Sequence, residues 1–348
     1  MQGSSLEPVS TLNESPSGVK SAVAAIGKHQ DSVPVPEKPV KLSLYLRTAL
    51  DMAGYVVELP LRWKTMDLKP YLPIYTKIGY GIMLNAITDL WLLTSGVDRK
   101  KFDPGSIVVV KHFIGYMNTM DDYLDAPENK HKQRPSLRFT KGDELWERRK
   151  EMFGSIEHYD VPRQKKIKRA ICASADRLLS AFVRFRSLNA IGFDDALHIR
   201  EETAGELCRV TAELFNVIHD VPSDRARAVE TAFWNVGMVL QVHDDVGDIC
   251  KDDREGFGEN MVLQLLNQRP EEKARLMGAI AHKKNCPFSK IERYAPETAR
   301  AARELQDRYM AAIPDTGGFE RIRCLLDLTV SMRGRSAALR SIIDKMEL

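Results

Sequence analysis

Hydrophobic residues recur at three- and four-residue steps along most of the chain after Lys41. This spacing gathers apolar side chains on one face of an α-helix, and the two-residue alternation typical of β-strands is nearly absent. The pattern predicts helices at about 42–59, 70–96, 104–125, 143–157, 163–187, 194–219, 223–252, 260–267, 270–283, 296–312 and 318–346. We therefore predict an all-α protein in which residues 41–348 form a single helical domain.

Residues 1–40 are rich in Ser and Pro, which predicts a disordered N-terminal extension. Glu7, Glu14 and Asp31 argue against a transit peptide, because such peptides are poor in acidic residues. The N-terminus also lacks the charged-then-apolar pattern of a secretory signal, and no apolar run approaches the roughly 20 residues that a membrane span needs. These features predict a cytoplasmic protein without a membrane span.

The formal net charge of +3 is too small to favour nucleic acid as a partner, so any capacity to bind phosphate must be local. The hydrophobic fraction of 43% allows a sizeable core. The cysteines are odd in number and form no C-x-x-C pair, which predicts reduced, buried thiols rather than disulfides or a zinc site. They are Cys172, Cys208, Cys250, Cys286 and Cys324.

One mostly apolar predicted helix ends in three acids, Asp121, Asp122 and Asp125. Asp121 and Asp125 are four residues apart and therefore lie one turn apart on the same face of the helix. Like charges at this spacing repel each other unless a cation lies between them, and Mg²⁺ prefers oxygen ligands of this kind. The alternative is a solvated acidic turn, because Pro127 marks the end of the helix. This cluster alone leaves both interpretations open.

A second cluster of acids follows another apolar predicted helix. Asp244, Asp248 and Asp252 fall at positions i, i+4 and i+8, so three carboxylates follow one another down a single helix face. A buried row of acids is too costly to keep ionised without cations. The alternative is an acidic face neutralised in solvent by Lys251 and Arg254. Two such clusters, each ending an apolar helix, favour a metal site.

The two clusters resemble the acidic motifs of the class I terpene synthases and of their relatives, the trans-prenyl diphosphate synthases. The first cluster resembles the D-D-x-x-D motif of that family. The second is similar to the terpene synthase motif N-D-x-x-S-x-x-K-E, with Asp in place of Asn, Ser and Glu; its residues are Asp244, Asp245, Asp248, Lys251 and Asp252. Together with Gly237 and Gln241, the same segment is also similar to the second aspartate-rich motif of the prenyltransferases.

Residues around these motifs favour the terpene synthases. Gly256 and Asn260, followed by an apolar run, look like the continuation of the terpene synthase motif, whereas a prenyltransferase carries Gly-Lys there. The G-G-K-x-x-R-P motif that grips a second diphosphate in prenyltransferases has no match. Lys130 and His131 stand where an Arg pair follows their first motif.

The resemblance implies a single class I terpenoid synthase helical bundle with a central active-site cavity. It implies three Mg²⁺ ions, which Mn²⁺ can replace, held by the two acidic motifs around the diphosphate of a prenyl diphosphate. The implied metal ligands are Asp121, Asp122, Asp125, Asp244, Asp245, Asp248 and Asp252. The implied reaction ionises the substrate, with farnesyl diphosphate as the best match, releases diphosphate and cyclises the carbocation. The fold also allows a homodimer, which the sequence itself does not show.

Several cations match positions that contact diphosphate in the family. Arg200 precedes Asp244 by 44 residues, close to the place of a diphosphate-sensing Arg, and Lys251 lies within the second motif. Arg308 and Tyr309 resemble the Arg-Tyr pair that closes over the diphosphate, although they come early in the chain. Candidates for the wall of the substrate cavity are Phe113, Tyr116, Met117, Phe215, Trp234 and Met238, whose individual alternative is ordinary core packing.

Two other functions remain compatible with the sequence. A prenyltransferase or head-to-head condensing enzyme of the same fold would need a second diphosphate substrate. A non-catalytic subunit that keeps the fold would not release diphosphate, although the intact acids in both clusters argue against it.

Overall fold

The computed structural model describes residues 74–125, 143–185, 191–280, 286 and 288–326. Helices account for 83% of these residues and no strand occurs among them, which confirms the prediction of an all-α protein. The chain divides between Pro39 and Val40, and every described residue lies in the second part. The predicted extension at 1–40 and the predicted helix at 42–59 lie outside the described residues.

The described helices follow the predicted periodicity closely. In chain order they are α1 (Ile74–Ser95), α2 (Gly105–Asp125), α3 (Glu144–Gly154), α4 (Val161–Phe185), α5 (Phe193–Arg200), α6 (Glu206–Ile218), α7 (Ser223–Glu255), α8 (Met261–Asn267), α9 (Pro270–Ile280), α10 (Phe288–Tyr294) and α11 (Pro296–Ala311). A 3₁₀ turn at Arg99–Lys101 precedes α2, a π-helical segment at Glu201–Gly205 joins α5 to α6, and residues 319–326 are helical.

The structure differs from the predicted elements in two places. The predicted helix at 194–219 is divided by the π-helical segment, which the hydrophobic periodicity does not reveal because the chain stays helical throughout. Helix α10 was not predicted, since seven residues span fewer than two full periods of the helical pattern. Most of the last predicted helix lies beyond the described residues.

Helix α7 is the longest described helix, with 33 residues, and it packs against α1, α6, α8, α11 and the π-helical segment. It ends at Gly256, whose φ of +70° lies in the left-handed region that favours glycine. The chain then turns back, because the N–H of Met261 donates to the Asp245 carboxylate at 2.6 Å. Helix α8 therefore begins beside the last turns of α7.

Two glycines allow α7 to approach the π-helical segment closely. A Cβ at Gly237 would lie 2.6 Å from the carbonyl oxygen of Ala204, and a Cβ at Gly205 would lie 2.7 Å from the indole nitrogen of Trp234. Both distances are shorter than real Cβ contacts, so any side chain at these positions would push the two segments apart. This close contact determines which turn of α7 lies beside the end of α5.

Helices α2 and α7 both begin at the C-terminal end of α6. Ser106, at the start of α2, lies 3.2 Å from the ring nitrogen Nε2 of His219, and Asn216 donates to the carbonyl of Ala226 near the start of α7 at 3.2 Å. At the other end of α6, Arg200 donates to Asp245 near the end of α7 at 3.2 Å. Helix α7 is therefore antiparallel to α6.

Helices α4 and α2 both run antiparallel to α6. Arg177 and Lys166 of α4 contact Glu206 and Asp220 at opposite ends of α6, so α4 is antiparallel to α6. Helix α2 begins at the C-terminal end of α6 and packs along it, so α2 also runs back toward the N-terminal end of α6. Helices α2 and α7 consequently run in the same direction along α6.

The described residues bear on two further predictions, the buried cysteines and the absence of a membrane span. All five cysteines are free thiols; Cys250, Cys286 and Cys324 are buried, and burial raises the pKa of Cys208 to about 11. Cys172 is exposed, so the prediction that all five are buried is wrong for this residue, which lies on the solvent side of α4. Within the described part of the chain, no helix is both long and apolar enough to cross a membrane.

Candidate metal centre

The last turns of α7 present one row of carboxylates, which we call the acidic face: Asp244, Asp248 and Asp252. Successive members are four residues apart, or about 6 Å along the helix. Asp244 is exposed, Asp248 is partly buried and Asp252 is only 7% exposed, so the row descends from solvent into the protein. Burial raises the pKa of Asp252, and the neighbouring charge of Asp248 adds to that effect. The acidic face thus concentrates negative charge where solvation decreases.

Asp245 lies seven residues before Asp252, on nearly the same side of α7, and is 1% exposed. One carboxylate oxygen accepts hydrogen bonds from Arg200 at 3.2 Å and from Gln241 at 2.7 Å, and the other accepts from the N–H of Met261 at 2.6 Å. Burial raises the pKa of Asp245 to about 6, against the lowering effects of Arg200 and of these donors. Both oxygens of Asp245 therefore accept hydrogen bonds from neighbouring segments, and its predicted role as a metal ligand stays a prediction.

Arg200 is the last residue of α5 and points at the same end of α7. Its guanidinium lies 3.2 Å from Asp245 and 3.9 Å from Glu259. Burial alone would lower the pKa of Arg200, but Asp245, Glu259, Asp252 and Asp244 outweigh it, so the pKa is raised. The predicted diphosphate-contacting cation is therefore a permanent positive charge held beside the acidic face, with 21% of its side chain still exposed.

Asn260 is a residue of this site that the sequence marked only as part of the motif's continuation. It is completely buried and caps the start of α8, where its side-chain oxygen accepts from the N–H of Leu263 at 2.7 Å. Its amide nitrogen donates to the Asp252 carboxylate at 2.8 Å and to the carbonyl of Asp245 at 2.7 Å. An Asn shortly after a helix-ending Gly and directly before an apolar run is the sequence signal that could have identified it.

The first acidic cluster lies at the end of α2. Asp121 is exposed there, and Asp122 and Asp125 belong to the same last turn; the side chains of these two residues are outside the described part of the structure. Asp121 follows Ser106 by 15 residues and Asp244 follows Ala226 by 18, which corresponds to about 22 and 27 Å of helix. Both helices start at the C-terminal end of α6 and run the same way, but Ala226 lies beside Asn216, about one turn nearer the N-terminus of α6 than Ser106 beside His219. The two clusters of acids therefore lie within about two helical turns of the same level.

The described residues bring carboxylates to the end of α7 without forming a ready-made metal cage. No group of three His, Cys, Asp or Glu side chains converges closely enough among them to enclose an ion. The acidic face itself offers only carboxylate oxygens, whereas structural zinc sites are mostly built from nitrogen and sulfur ligands. Mg²⁺ usually binds through one or two carboxylates, keeps several waters and completes its shell with substrate phosphate oxygens. The acidic face fits that mode of binding.

Arg308 and Tyr309 lie at the end of α11, close to the residue after Arg200. Tyr309 is 4% exposed; its hydroxyl donates to Glu201 at 3.0 Å and accepts from Arg308 at 3.0 Å. Its ring also packs edge-on against Trp234, whose indole N–H donates to the carbonyl of Glu201 at 3.2 Å. The pair is thus tied to the segment that carries Arg200, and its contact with diphosphate stays a prediction.

The predicted wall residues fall into two groups. Phe113, Tyr116, Met117 and Met238 are buried in the core beside α2 and α7, and Trp234 is partly buried. Phe215 stacks on Trp91 at the C-terminal end of α6, about 22 Å along the helical path from Arg200, where it belongs to an aromatic cluster with Phe102 and His219. Lys251 is exposed on α7. Whether any of these side chains lines a substrate cavity stays a prediction.

Comparison with models of known protein families gives no match to this chain, and comparison with curated proteins gives none either.

Proposed function

We propose that the protein is a magnesium-dependent class I terpene synthase that ionises a prenyl diphosphate, releases diphosphate and cyclises the resulting carbocation. One observation carries the proposal: three carboxylates descend one face of α7, and Arg200 is fixed beside them from a neighbouring helix. A carboxylate row bound to metal and a permanent cation are complementary to a diphosphate group. The directions of α2 and α7 support the approach of the first cluster to the same end.

Each group would have a defined task at the diphosphate. The carboxylates of the acidic face and of the first cluster would hold Mg²⁺, which supplies Lewis-acid assistance to the leaving group when bound. Arg200 would donate charge-assisted hydrogen bonds to the diphosphate oxygens with the exposed part of its guanidinium. Departure of the diphosphate requires no general acid, since its negative charge is balanced by these cations.

After ionisation the protein must keep water away from the carbocation. Fully buried apolar and aromatic side chains on α2 and α7, such as Phe113 and Met238, support this task because they would supply a dry wall for the substrate. Aromatic faces stabilise passing positive charge, and a dry interior prevents early capture by water. The size of the prenyl chain and the product skeleton depend on the contour of this interior.

A direct assay tests the proposal. Purified full-length protein is incubated with Mg²⁺ and farnesyl diphosphate as the sole organic substrate, in parallel with geranyl and geranylgeranyl diphosphate. We expect release of inorganic diphosphate together with a terpene hydrocarbon or alcohol, both abolished by EDTA. Turnover that requires added isopentenyl diphosphate would instead identify a prenyltransferase. Absence of diphosphate release from every combination would leave a binding protein of the same fold and contradict the proposal.

A further inference from the structure

Asn260 makes more hydrogen bonds than a helix cap requires. Capping uses only its side-chain oxygen, which accepts from the N–H of Leu263 at 2.7 Å. Its amide nitrogen reaches back to α7 and donates to both the Asp252 carboxylate at 2.8 Å and the carbonyl of Asp245 at 2.7 Å. The side chain is completely buried, so these three bonds have no competition from solvent.

The two hydrogen bonds from the amide nitrogen explain why this capping residue is an Asn. Ser, Thr and Asp cap a helix as well as Asn does, because each offers an oxygen to the backbone N–H groups. None of them supplies an NH₂ group, and an Asp would place a second negative charge against Asp252. The two bonds to α7 therefore distinguish Asn260 from a simple cap.

The hydrogen bond from the Asn260 amide to Asp252 controls the direction of that carboxylate. Asp252 is 7% exposed and receives the hydrogen bond on Oδ2, which leaves Oδ1 as the oxygen available to a cation on the acidic face. The second hydrogen bond, to the carbonyl of Asp245, fixes the same amide against α7 about two turns earlier. Asn260 thus joins the acidic face to the Arg200–Asp245 pair through a single rigid side chain.

We infer that Asn260 is a positioning residue for the magnesium site: its amide orients the Asp252 carboxylate toward the cation. This inference rests on the proposed function. Hydrogen-bond partners of metal-binding carboxylates contribute about 10- to 100-fold to metal affinity, and we expect an effect of that size here.

Asn216 provides a matched control at the other end of α7. It is also buried, at 4% exposure, and its oxygen accepts from the indole N–H of Trp91 at 2.9 Å. Its amide nitrogen donates to the carbonyl of Ala226 at 3.2 Å and to the Glu230 carboxylate at 3.0 Å. The two asparagines therefore make the same set of bonds to the same helix, but only Asn260 faces the acidic face.

The test compares Asn260→Ser and Asn260→Thr, which keep the cap, with Asn216→Ser. Thermal unfolding of each full-length variant is followed at fixed inorganic diphosphate over a magnesium series, and the magnesium concentration at half-maximal stabilisation is recorded. We expect Asn260→Ser to raise that concentration about 10- to 100-fold and Asn216→Ser to leave it within about 3-fold. Asn260→Thr serves if the Ser variant does not fold.

A double variant shows whether Asn260 acts through Asp252. Once Asp252→Asn has removed the carboxylate, the further change Asn260→Ser should alter the half-maximal magnesium concentration by less than about 3-fold, because the two residues act as one unit. Equal shifts from the Asn260 and Asn216 variants, or additive shifts in the double variant, would overturn the inference while leaving the proposed function intact. A wild-type protein that magnesium and diphosphate do not stabilise would overturn both.

Discussion

The two ends of α7 carry similar hydrogen bonds but differ in how their acids are arranged around an arginine. At its start, Glu230 meets Asn216 and Arg209, and Arg209 also binds Glu206 and Glu213 at 2.6 and 2.9 Å. At its end, the direct ion pair of Arg200 is with Asp245, and the acidic face adds three more carboxylates.

The charged groups at the start of α7 support the fold, whereas those at its end suit the binding of a ligand. The network around Arg209 satisfies its members within the protein, so it holds α6, α7 and their neighbours together. The end near Arg200 accumulates acids whose mutual repulsion a divalent cation would relieve. The same helix can therefore be anchored at one end and prepared for a ligand at the other.

The largest difference between the two ends should appear in activity. Asp248→Asn removes a charge from the middle of the acidic face and should lower the rate of diphosphate release by about 100-fold or more, because a bound metal would lose a charged ligand. Glu230→Gln, at the start of α7, should leave the rate within about 3-fold. Steady-state rates at saturating magnesium measure both, and similar losses in the two variants would remove the distinction.

Substituting the two arginines should separate stability from catalysis. Arg200→Gln leaves Asp245 buried without its cation, so we expect a loss of about 3 kcal/mol in the free energy of unfolding together with a fall in rate of about 100-fold. The Arg209 side chain is 22% exposed in the native protein. Arg209→Gln should therefore lower the free energy of unfolding by about 1–3 kcal/mol and change the rate by less than about 3-fold. Urea unfolding and the diphosphate-release assay give the two quantities, and an active Arg200→Gln enzyme would rule out its predicted contact with substrate.

The position of α7 against the π-helical segment can be disturbed with one methyl group. Gly237→Ala places a Cβ 2.6 Å from the Ala204 carbonyl, so we expect a loss of about 1–3 kcal/mol in stability and a weaker Arg200–Asp245 contact. Gly115→Ala in α2 is the control, since a Cβ there meets nothing within 4 Å and should stabilise the helix by about 0.5–1 kcal/mol. Opposite signs of the two changes in thermal unfolding temperature are the expected result.

A carboxylate outside the acidic face shows what a purely structural acid does. Glu272 of α9 accepts from the N–H groups of Glu297 and Thr298 at 2.9 and 3.0 Å and from the Thr298 hydroxyl at 2.7 Å, at the start of α11. Burial acts to raise the pKa of Glu272, but these donors outweigh it and the pKa is lowered. Its stabilising effect is therefore complete above the ordinary glutamate pKa and is lost as the pH falls through the lowered value.

The expected effect of Glu272→Gln is the smallest of this series and depends on pH. At pH 7 the free energy of unfolding of the variant should be about 1–2 kcal/mol lower than that of the wild type. This difference should shrink as the pH falls below about 4. Thermal unfolding of wild type and variant between pH 3 and 7 measures it. A difference independent of pH would mean that the carboxylate charge contributes nothing at this cap.

Much of the fold could be predicted from the sequence because apolar residues repeat at helical spacing over long segments. The same repeat hides the π-helical segment, which changes the hydrogen-bond step without changing the hydrophobic pattern, and it cannot reveal a helix as short as α10. Spacing also predicted that Asp244, Asp248 and Asp252 share a face. It could not show that Asp245, one residue further, is buried and fully bonded by residues from three segments, since those contacts depend on the turn at Gly256 and on the packing of α5.

The most direct measurement is a crystal structure of the full chain with Mn²⁺ and inorganic diphosphate, in which anomalous scattering locates the metal. We predict metal about 2 Å from carboxylate oxygens of the acidic face and of the cluster at Asp121, with the diphosphate between them and Arg200 in contact with it. Metal absent from both clusters, or Asp121 and Asp244 on separate outer surfaces with no diphosphate between them, would contradict the account.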